Sequence, residues 1–470
     1  MHLSQHDLFN TLIAITTIAV AILCVTLSIN NKLVSKFFGR KLLHIVAVGT
    51  CAYAIQQFEN RLLPAYIFLA MFFILLWPVQ KDWMKANEQK TYGIALFPLA
   101  FAILLFADAV PLHIVVYAVL ILGISDAMAG ICGEYFSKRK TVFLFEQKSW
   151  IGFAAFYTSA LIISLFFFNG FSLHGILLCL ALSLLPALTE LFSYRGSDNF
   201  TVPLFTAIWA LLIIDLNNSQ LQWLLLSAVL FAAVAFAAVY KKWLTGAGAA
   251  AACWMALLFY VTGGYKAFIV PGIFLISGSL LSKLNQPQKE KEGRNALQVF
   301  ANGIIGIIFM ILFGLTDQTA YLLTAVVSFS ISMADSSSSE IGFYLKQRTY
   351  DIISMKALPP GVSGGISAAG TLAGLAGAAV IAFAAAFAYT LSFPVFIAIL
   401  VTGFTGMLTD SILGSWLQVK YLDPEGNPAD DAPPGAKKIG GYTWCTNDAV
   451  NILSNALITL LFFLFLKQIT

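Results

Sequence analysis

Long apolar runs, most of them about twenty residues in length, recur from one end of this chain to the other. Of its 470 residues, 59% are hydrophobic and only 11% are charged, whereas a soluble domain usually has about 25% charged residues. No water-soluble fold of this length could bury so much apolar surface. A backbone inside a bilayer must satisfy its own hydrogen bonds, so the runs predict spanning helices. The sequence therefore predicts an all-α polytopic membrane protein.

Short polar breaks divide the apolar runs into sixteen segments of helical length. The predicted transmembrane helices span residues 8–29, 43–58, 62–79, 93–107, 111–135, 150–168, 172–192, 200–215, 220–240, 246–262, 265–282, 295–315, 319–342, 362–389, 392–415 and 447–467.

The distribution of Lys and Arg supports this helix count. With the N-terminus outside and the helices alternating, 24 of the 27 basic residues fall in inner loops, as the positive-inside rule expects. The exceptions are Arg61, Lys266 and Lys467. A missed helix would reverse the side of every later loop, so both termini are predicted outside. The net charge of +4 then reflects topology, and we expect no nucleic-acid partner.

Acidic residues at or near the inner helix ends form two sets, one in each half of the chain. Ionisable groups inside a membrane are costly and usually functional, and Asp126, Asp335 and Asp410 are each embedded in an apolar segment. The first set, with its polar and basic neighbours, comprises Arg40, Lys41, Asp126, Lys148, Ser149, Glu190, Asp198 and Asn199. The second comprises Arg294, Asp335, Glu340, Asp410, Asn447, Asp448 and Asn451.

Such groupings at a membrane surface suggest phosphate chemistry. Carboxylates bind Mg²⁺, which prefers oxygen ligands, and Lys and Arg neutralise phosphoryl oxygens. The run Gly361-Val-Ser-Gly-Gly365 is predicted at an inner helix start, where backbone N–H groups could bind phosphate. The same run is equally compatible with close helix packing. The sequence contains neither a P-loop motif nor the protein-kinase motifs.

The two halves also resemble each other. Arg40-Lys-Leu-Leu-His aligns with Arg294-Asn-Ala-Leu-Gln, and the Asp126–Tyr135 segment aligns with Asp335–Tyr344. Glu190 corresponds to Asp410, and the Asp198-Asn199 pair corresponds to Asn447-Asp448. The order and predicted membrane side of these matches are the same in both halves. We therefore expect two related parallel repeats, with the third and fourth helices as an extra hairpin in the first.

Residues 1–218 resemble the phytol kinase and dolichol kinase family. The matching pieces are Arg40-Lys41-x-x-His44, Tyr92-Gly93, Asp126–Gly133, Lys148-Ser149-Trp150-x-Gly152, Glu190, Asp198-Asn199 and Pro203. The family often has Gly before the central aspartate and an acidic residue after Lys-Ser-Trp, where this chain has Ser125 and Ile151.

Residues 219–470 resemble the phytyl-phosphate kinase group. The matching pieces are Gly246-Ala-Gly-Ala, Arg294-Asn-x-x-Gln-Val-x-Ala-Asn302-Gly303, Ala334-Asp335, Ser339-Glu340-Ile-Gly342, Gly361–Gly365, Thr409-Asp410-Ser-Ile-Leu-Gly414 and Asn447-Asp448-Ala-Val-Asn451.

Together the resemblances imply a bifunctional membrane kinase. The first domain would phosphorylate a prenol such as phytol or geranylgeraniol, and the second would convert the monophosphate to a prenyl diphosphate. The resemblances imply a nucleoside triphosphate donor, often CTP, together with Mg²⁺. We expect a bacterial inner membrane location, with both sites facing the cytosol.

The resemblances also imply roles for the candidate residues. Mg²⁺ ligands or hydroxyl-orienting groups are expected among the carboxylates Asp126, Glu190, Asp198, Asp335, Asp410 and Asp448, with Glu340 in a further acidic role. Phosphate or substrate contacts are expected from Arg40, Lys41, Lys148, Ser149, Asn199, Arg294, Asn302, Lys356, Gly361, Gly364, Gly365, Asn447 and Asn451.

Two other classes of protein remain possible interpretations of the sequence. A two-repeat secondary transporter would also carry intramembrane acids, but such sites usually lie near the bilayer midplane, often between inverted repeats. A cytidylyltransferase acting on a lipid phosphate would also use CTP, carboxylates and Mg²⁺, and it would release pyrophosphate in place of CDP.

Overall fold

The chain forms two compact units that divide between Leu230 and Phe231; we call them the N-terminal and C-terminal units. The structure is a computed structural model that describes residues 5–80, 85–86, 89–90, 92–138, 140–143, 146–285, 293–422, 426, 428–430 and 435–469. The division falls inside a helix, twelve residues beyond the boundary suggested by the two resemblances.

Sixteen helices in the described part of the chain confirm the predicted helical membrane fold. Within the described residues, eleven of them are long and apolar enough to cross a membrane. The N-terminal unit contains α1 Gln5–Asn30, α2 Lys36–Gln57, α3 Leu62–Gln80, α4 Gly93–Phe106, α5 Leu112–Phe136, α6 Trp150–Phe167, α7 Leu173–Leu191 and α8 Asp198–Ile213. The division lies within α9, Asn218–Tyr240. The C-terminal unit continues with α10 Gly246–Gly263, α11 Tyr265–Lys283, α12 Ala296–Thr316, α13 Thr319–Tyr344, α14 Ala368–Tyr389, α15 Phe393–Trp416 and α16 Asn447–Ile469.

Four connecting loops between the helices contain short strands. The hydropathy of the sequence did not predict these strands. Each sheet is antiparallel, and all four lie in loops that the basic residues assign to the inner side. Two are hairpins: β1 Lys85–Ala86 with β2 Gln89–Lys90, and β3 Thr141–Phe143 with β4 Glu146–Lys148. Two are three-stranded: β5 Thr349–Asp351 between β6 Ala357–Leu358 and β7 Gly365–Ile366, and β8 Lys420–Leu422 between β9 Pro428–Ala429 and β10 Lys437–Gly440.

Two predicted helix starts are wrong. The second helix was expected from residue 43, but α2 begins at Lys36, after the Ser35 side chain accepts a hydrogen bond from the N–H of Phe38. The fourteenth helix was expected from residue 362, but α14 begins at Ala368, after the side chain of Ser367 accepts a hydrogen bond from the N–H of Gly370. The glycine run therefore lies in a loop that ends in strand β7. Gly361 and Gly364 have φ values of +91° and +83°, in the left-handed region that an α-helix does not use.

Helix α5 forms the centre of the N-terminal unit. Its first half is buried, and the Tyr117 hydroxyl lies 2.8 Å from the Ser164 hydroxyl of α6. A π-helical turn at Ile121–Ser125 ends immediately before Asp126. Such turns often mark functional sites because they change which way the following side chains face.

Helix α13 has the corresponding central place in the C-terminal unit. Its segment from Leu322 to Ala334 is buried throughout. Small residues allow the neighbouring backbones to approach closely: a Cβ atom at Gly403 of α15 would lie within 3 Å of the Ser330 side chain. The Asn455 amide of α16 donates to the Ser328 carbonyl at 2.9 Å. Close contacts between small and polar side chains are typical of packed membrane helices.

Both units use the same packing device at equivalent positions. In the N-terminal unit, the Ser149 hydroxyl caps α6, and it lies against Gly133 of α5. In the C-terminal unit, the Ser367 hydroxyl caps α14 and lies against Gly342 of α13. Five helix pairs pack in both units: α2–α5, α5–α6, α6–α7, α7–α8 and α5–α8 correspond to α12–α13, α13–α14, α14–α15, α15–α16 and α13–α16. These internal contacts support the predicted repeat.

Candidate active sites

The N-terminal unit brings the first predicted set of acidic and basic residues into contact. The Lys41 ammonium nitrogen of α2 lies 2.8 Å from Oδ2 of Asp126, and Nε2 of His44 lies 4.0 Å from the same oxygen. Gly130 allows this approach, because a Cβ there would lie 2.6 Å from Cε of Lys41. The carboxylate after the π-helical turn is therefore neutralised by a lysine from α2.

A second ion pair joins strand β4 to α7. The Lys148 ammonium nitrogen lies 2.5 Å from Oε1 of Glu190, and both side chains are largely buried. Burial alone lowers the pKa of Lys148, but the charges of Glu190 and Asp198 outweigh it and raise that pKa above its ordinary value. Asp198 is within electrostatic reach of Asp126, Lys148 and Lys41 as well. The two ion pairs and Asp198 thus form one charged cluster.

Three other predicted residues of this unit stand apart from the charged cluster. Arg40 is exposed, and Lys41 beside it makes the contact with Asp126. The Ser149 hydroxyl accepts the N–H of Gly152 at 3.0 Å, so it acts as a helix cap. The Asn199 amide packs against Gly93 at the start of α4.

A cavity of about 1050 Å³ in the C-terminal unit gathers nearly all of the second predicted set. Its lining includes Arg294, Asn302, Asp335, Glu340, Gly361, Gly364, Gly365, Asp410, Asn447, Asp448 and Asn451. These residues come from helices α12, α13, α15 and α16 and from loops that precede helices. Segments far apart in the sequence therefore converge on one polar space.

Two aspartates mark the acidic end of this cavity. Oδ2 of Asp410 accepts the Ser454 hydroxyl at 2.7 Å and lies 3.2 Å from the side-chain amide nitrogen of Asn451, once that amide is oriented to donate. Asp335 is within electrostatic reach of Asp410. Among the described residues, the Asp335 carboxylate has no hydrogen-bond or ion-pair partner.

Glu340 lies between the acidic end and the end of α11. Its carboxylate accepts the Ser282 hydroxyl at 3.0 Å and the Asn285 amide at 2.6 Å. It also interacts electrostatically with Arg294 and Asp335. Glu340 thus connects α13 to the end of α11 through hydrogen bonds and interacts with Arg294 through charge.

The glycine run lines the cavity, but its backbone donors are mostly used within the protein. The N–H of Ser363 donates to Oδ2 of Asp430 at 2.8 Å, and the N–H groups of Val362 and Gly365 donate to nearby carbonyls. A Cβ at Gly364 would lie 2.6 Å from the backbone of Ser415. Close packing therefore accounts for the glycine at position 364. Lys356 is exposed in the turn before β6 and does not line the cavity.

Asp351 supports the rim of the cavity. Its carboxylate accepts the Ser415 hydroxyl at 2.6 Å and the N–H of Ser354 at 2.7 Å, and Lys420 lies 3.8 Å away. Burial alone raises the pKa of Asp351, but the bonds from Ser415 and Ser354 outweigh it and lower the pKa to about 2. The side chain therefore stays ionised and ties the β5–β7 sheet to the end of α15.

The carboxylates fit a Mg²⁺ site only together with phosphate oxygens. Within the described part of the chain, no group of three or more His, Cys, Asp or Glu side chains is close enough to hold a metal ion alone. Mg²⁺ commonly binds to one or two carboxylates and to substrate phosphates, which matches Asp335 and Asp410 in the cavity. The fit is poorer in the N-terminal unit, where Asp126 and Glu190 already face lysines.

Several residues of the sites were not predicted from the sequence. Ser454 completes a stripe with Asn447 and Asn451 at helical spacing, so this spacing could have indicated it. Asp351 and Ser415 lie 64 residues apart and carry no shared pattern. Only the folded chain brings them together.

The fold and its sites define a class of protein: a polytopic helical membrane protein with two internally related units, each with acidic and basic groups gathered at helix ends. More particularly, through residues 229–459 the chain belongs to the integral membrane protein family DUF92. No solved structure matches the chain.

Named relatives extend from plants to archaea. An uncharacterized membrane protein of Methanocaldococcus jannaschii, MJ0933, is 31% identical over 168 residues, which cover 34% of this chain and 68% of the relative. The chloroplastic protein VTE6 of Arabidopsis thaliana is 26% identical over 227 residues, which cover 46% of this chain and 62% of VTE6. Protein PGR of the same plant is 26% identical over 265 residues, which cover 49% of this chain and 92% of PGR.

Proposed function

We propose that this protein is a bifunctional membrane kinase of isoprenoid metabolism. The N-terminal unit phosphorylates a prenol, and the C-terminal unit phosphorylates the resulting monophosphate to a prenyl diphosphate. The observation that carries the proposal is the convergence of Arg294, Asp335, Asp410 and Asp448 on one cavity. Membership of the DUF92 family and the sequence resemblance to phytyl-phosphate kinases support the C-terminal assignment.

Phosphoryl transfer depends mainly on positioning and on neutralising charge. In the N-terminal unit, Lys41 and Lys148 are the cations nearest the carboxylate cluster. Asp126 and Glu190 are neutralised by these lysines, so Asp198 is the carboxylate best placed to accept the hydroxyl proton. In the C-terminal unit the acceptor is already a phosphate, which needs no general base.

Mg²⁺ would be held in the C-terminal unit by Asp335 and Asp410. When bound, the ion would neutralise charge on the phosphoryl oxygens. The protein itself orients these groups: Ser454 and Asn451 fix the Asp410 carboxylate. CTP is the expected donor, and both sites are expected to face the cytosolic nucleotide pool.

Separate inactivation of the two units tests the proposal. Asp198→Asn removes the proposed base, so it should lower prenol phosphorylation about a hundredfold or more and leave phosphorylation of added prenyl monophosphate intact. Asp335→Asn should instead make the monophosphate accumulate. Asp108→Asn and Asp317→Asn are matched controls, because Asp108 is exposed after α4 and Asp317 ends α12 at a φ of 56° that Asn also adopts.

The products distinguish this proposal from nucleotidyl transfer. The purified protein is incubated with labelled CTP and with either a prenol or a prenyl monophosphate. A kinase releases CDP, whereas a cytidylyltransferase releases pyrophosphate. If both aspartate variants retain both activities, the assignment of the two units is wrong.

A further inference from the structure

The cations that line the C-terminal cavity lie together at one corner. Within the described residues these are Lys242, Lys283 and Arg294. They come from the loop after α9, the end of α11 and the segment before α12. Each has a link to Trp243, which also lines the cavity: Lys242 precedes it in the chain, Lys283 lies over its ring and the N–H of Arg294 donates to its carbonyl. We call these four residues the basic corner.

Backbone hydrogen bonds build the basic corner. The N–H of Arg294 donates to the carbonyl of Trp243 at 2.9 Å, and the N–H of Thr245 donates to the carbonyl of Arg294 at 3.0 Å. Gly248 permits this bridge, because a Cβ there would overlap the Arg294 carbonyl oxygen. The Lys283 ammonium lies 5.0 Å from the centre of the Trp243 ring, a favourable cation–π distance. The corner is therefore a positioned set of charges.

The guanidinium of Arg294 faces this space without an acceptor. It is half-buried, lies 5.5 Å from the Phe274 ring and packs against Gly278, where a Cβ would come within 2.6 Å of Nη2. No acceptor is within hydrogen-bond distance of it in the part of the chain that the structure describes. Guanidinium is always charged and offers five N–H donors. The site therefore has the chemistry of a binding site for a phosphate-type anion.

The charges that line the cavity differ between its acidic end and the basic corner, so the two regions suit different phosphate groups. Asp335 interacts electrostatically with Asp410 at the acidic end, and Glu340 interacts with both Asp335 and Arg294. A nucleoside triphosphate carries more negative charge than a phosphomonoester, so it gains more from a cluster of cations. The monophosphate of the lipid can approach the acidic end together with Mg²⁺.

We infer that the basic corner binds the triphosphate of the nucleotide donor and that the lipid monophosphate binds toward the acidic end. This inference rests on the proposed function. In the reaction, an oxygen of the prenyl monophosphate forms a bond to the γ-phosphorus. The bond from that phosphorus to the bridging oxygen of the β-phosphate breaks, and the nucleoside diphosphate leaves with the electron pair.

The test uses Lys242→Ala and Lys283→Ala, which change cavity-lining side chains outside the backbone bridge. Equilibrium binding of labelled CTP to the purified full-length protein should weaken about tenfold for each lost charge contact. The KM for CTP should rise in parallel, and the KM for prenyl monophosphate should stay unchanged. Lys266→Ala is the matched control, because Lys266 lies at the opposite end of α11.

Two results would overturn the inference. Wild-type affinity for CTP in both variants would exclude the basic corner as the donor site. An increase confined to the KM for prenyl monophosphate would assign the corner to the lipid headgroup. By contrast, wild-type protein that binds none of CTP, ATP, GTP and UTP would refute the proposed kinase function itself.

Discussion

Replacing Lys148 with Met should strongly destabilise the N-terminal unit, because the Glu190 carboxylate would lose its neutralising partner. The paired atoms lie 2.5 Å apart, and the two side chains are 18% and 6% exposed. Removing one member of a buried ion pair costs about 3–5 kcal/mol, since the other charge is left without compensation. For a unit of this size, a loss of that order lowers the melting temperature by about 6 °C or more.

A double-mutant cycle isolates the ion pair from other effects. Glu190→Gln alone should also destabilise, whereas Lys148→Met combined with Glu190→Gln should recover about 1–3 kcal/mol relative to the sum of the single changes. Lys140→Met is the matched control. Its partner Glu134 lies 2.9 Å away, but the side chains are 39% and 55% exposed, and exposed pairs contribute about 1 kcal/mol or less.

Thermal unfolding in detergent micelles, followed by circular dichroism, measures these differences. The folded-state pKa of Lys148 is raised, so its contribution is fully present below the unfolded pKa of about 10.4 and disappears only above it. The cycle should therefore give the same result at about pH 6 and about pH 9. A shift for Lys148→Met no larger than that for Lys140→Met would refute the reasoning.

Three further predictions follow from contacts outside the lysine pairs. The pKa of Asp351 is lowered to about 2, so its stabilisation is present above the unfolded pKa of about 3.9 and is lost as the pH falls through 2. In Asp351→Asn, the protease sensitivity of the loop that contains strand β5 should no longer increase as the pH falls through this range, because the titrating carboxylate is gone. Ser149→Ala and Ser367→Ala should each lower the free energy of unfolding by about 1 kcal/mol, because each removes a helix cap. A large increase in the KM for prenol in Ser149→Ala would instead indicate that Ser149 contacts the substrate. Arg61 donates to four backbone carbonyls at and after the end of α4, at 2.7–3.1 Å. Arg61→Lys should cost about 2 kcal/mol in thermal unfolding, because an ammonium cannot reproduce the planar fork, and an unchanged melting temperature would contradict this.

Helix placement was predictable from the sequence because a membrane imposes one strong rule. Each crossing must be an apolar helix that satisfies its own backbone, so the sixteen predicted segments correspond to the sixteen helices. The boundary at Ala368 was missed because hydropathy does not distinguish a glycine-rich loop from a glycine-rich helix. The positive φ values at Gly361 and Gly364 are decided by contacts with distant segments.

The membership of the sites was only partly predictable. Embedded acids such as Asp335 and Asp410 are conspicuous, because an apolar segment has no other reason to carry a charge. The choice of Lys41 over Arg40 depends on which side of α2 faces α5. The supporting bond between Asp351 and Ser415 joins residues 64 positions apart, so no local pattern could indicate it.

The sequence by itself determined the helical membrane architecture and the number of helices, and it indicated the acidic groups of the two candidate sites, because hydropathy and charge act locally along the chain. Tertiary structure alone decided how the cations are grouped. Lys242, Lys283 and Arg294 line one cavity only when three separate segments come together at Trp243. Their meeting depends on backbone bonds and close glycine contacts between separate segments, which are properties of the folded chain.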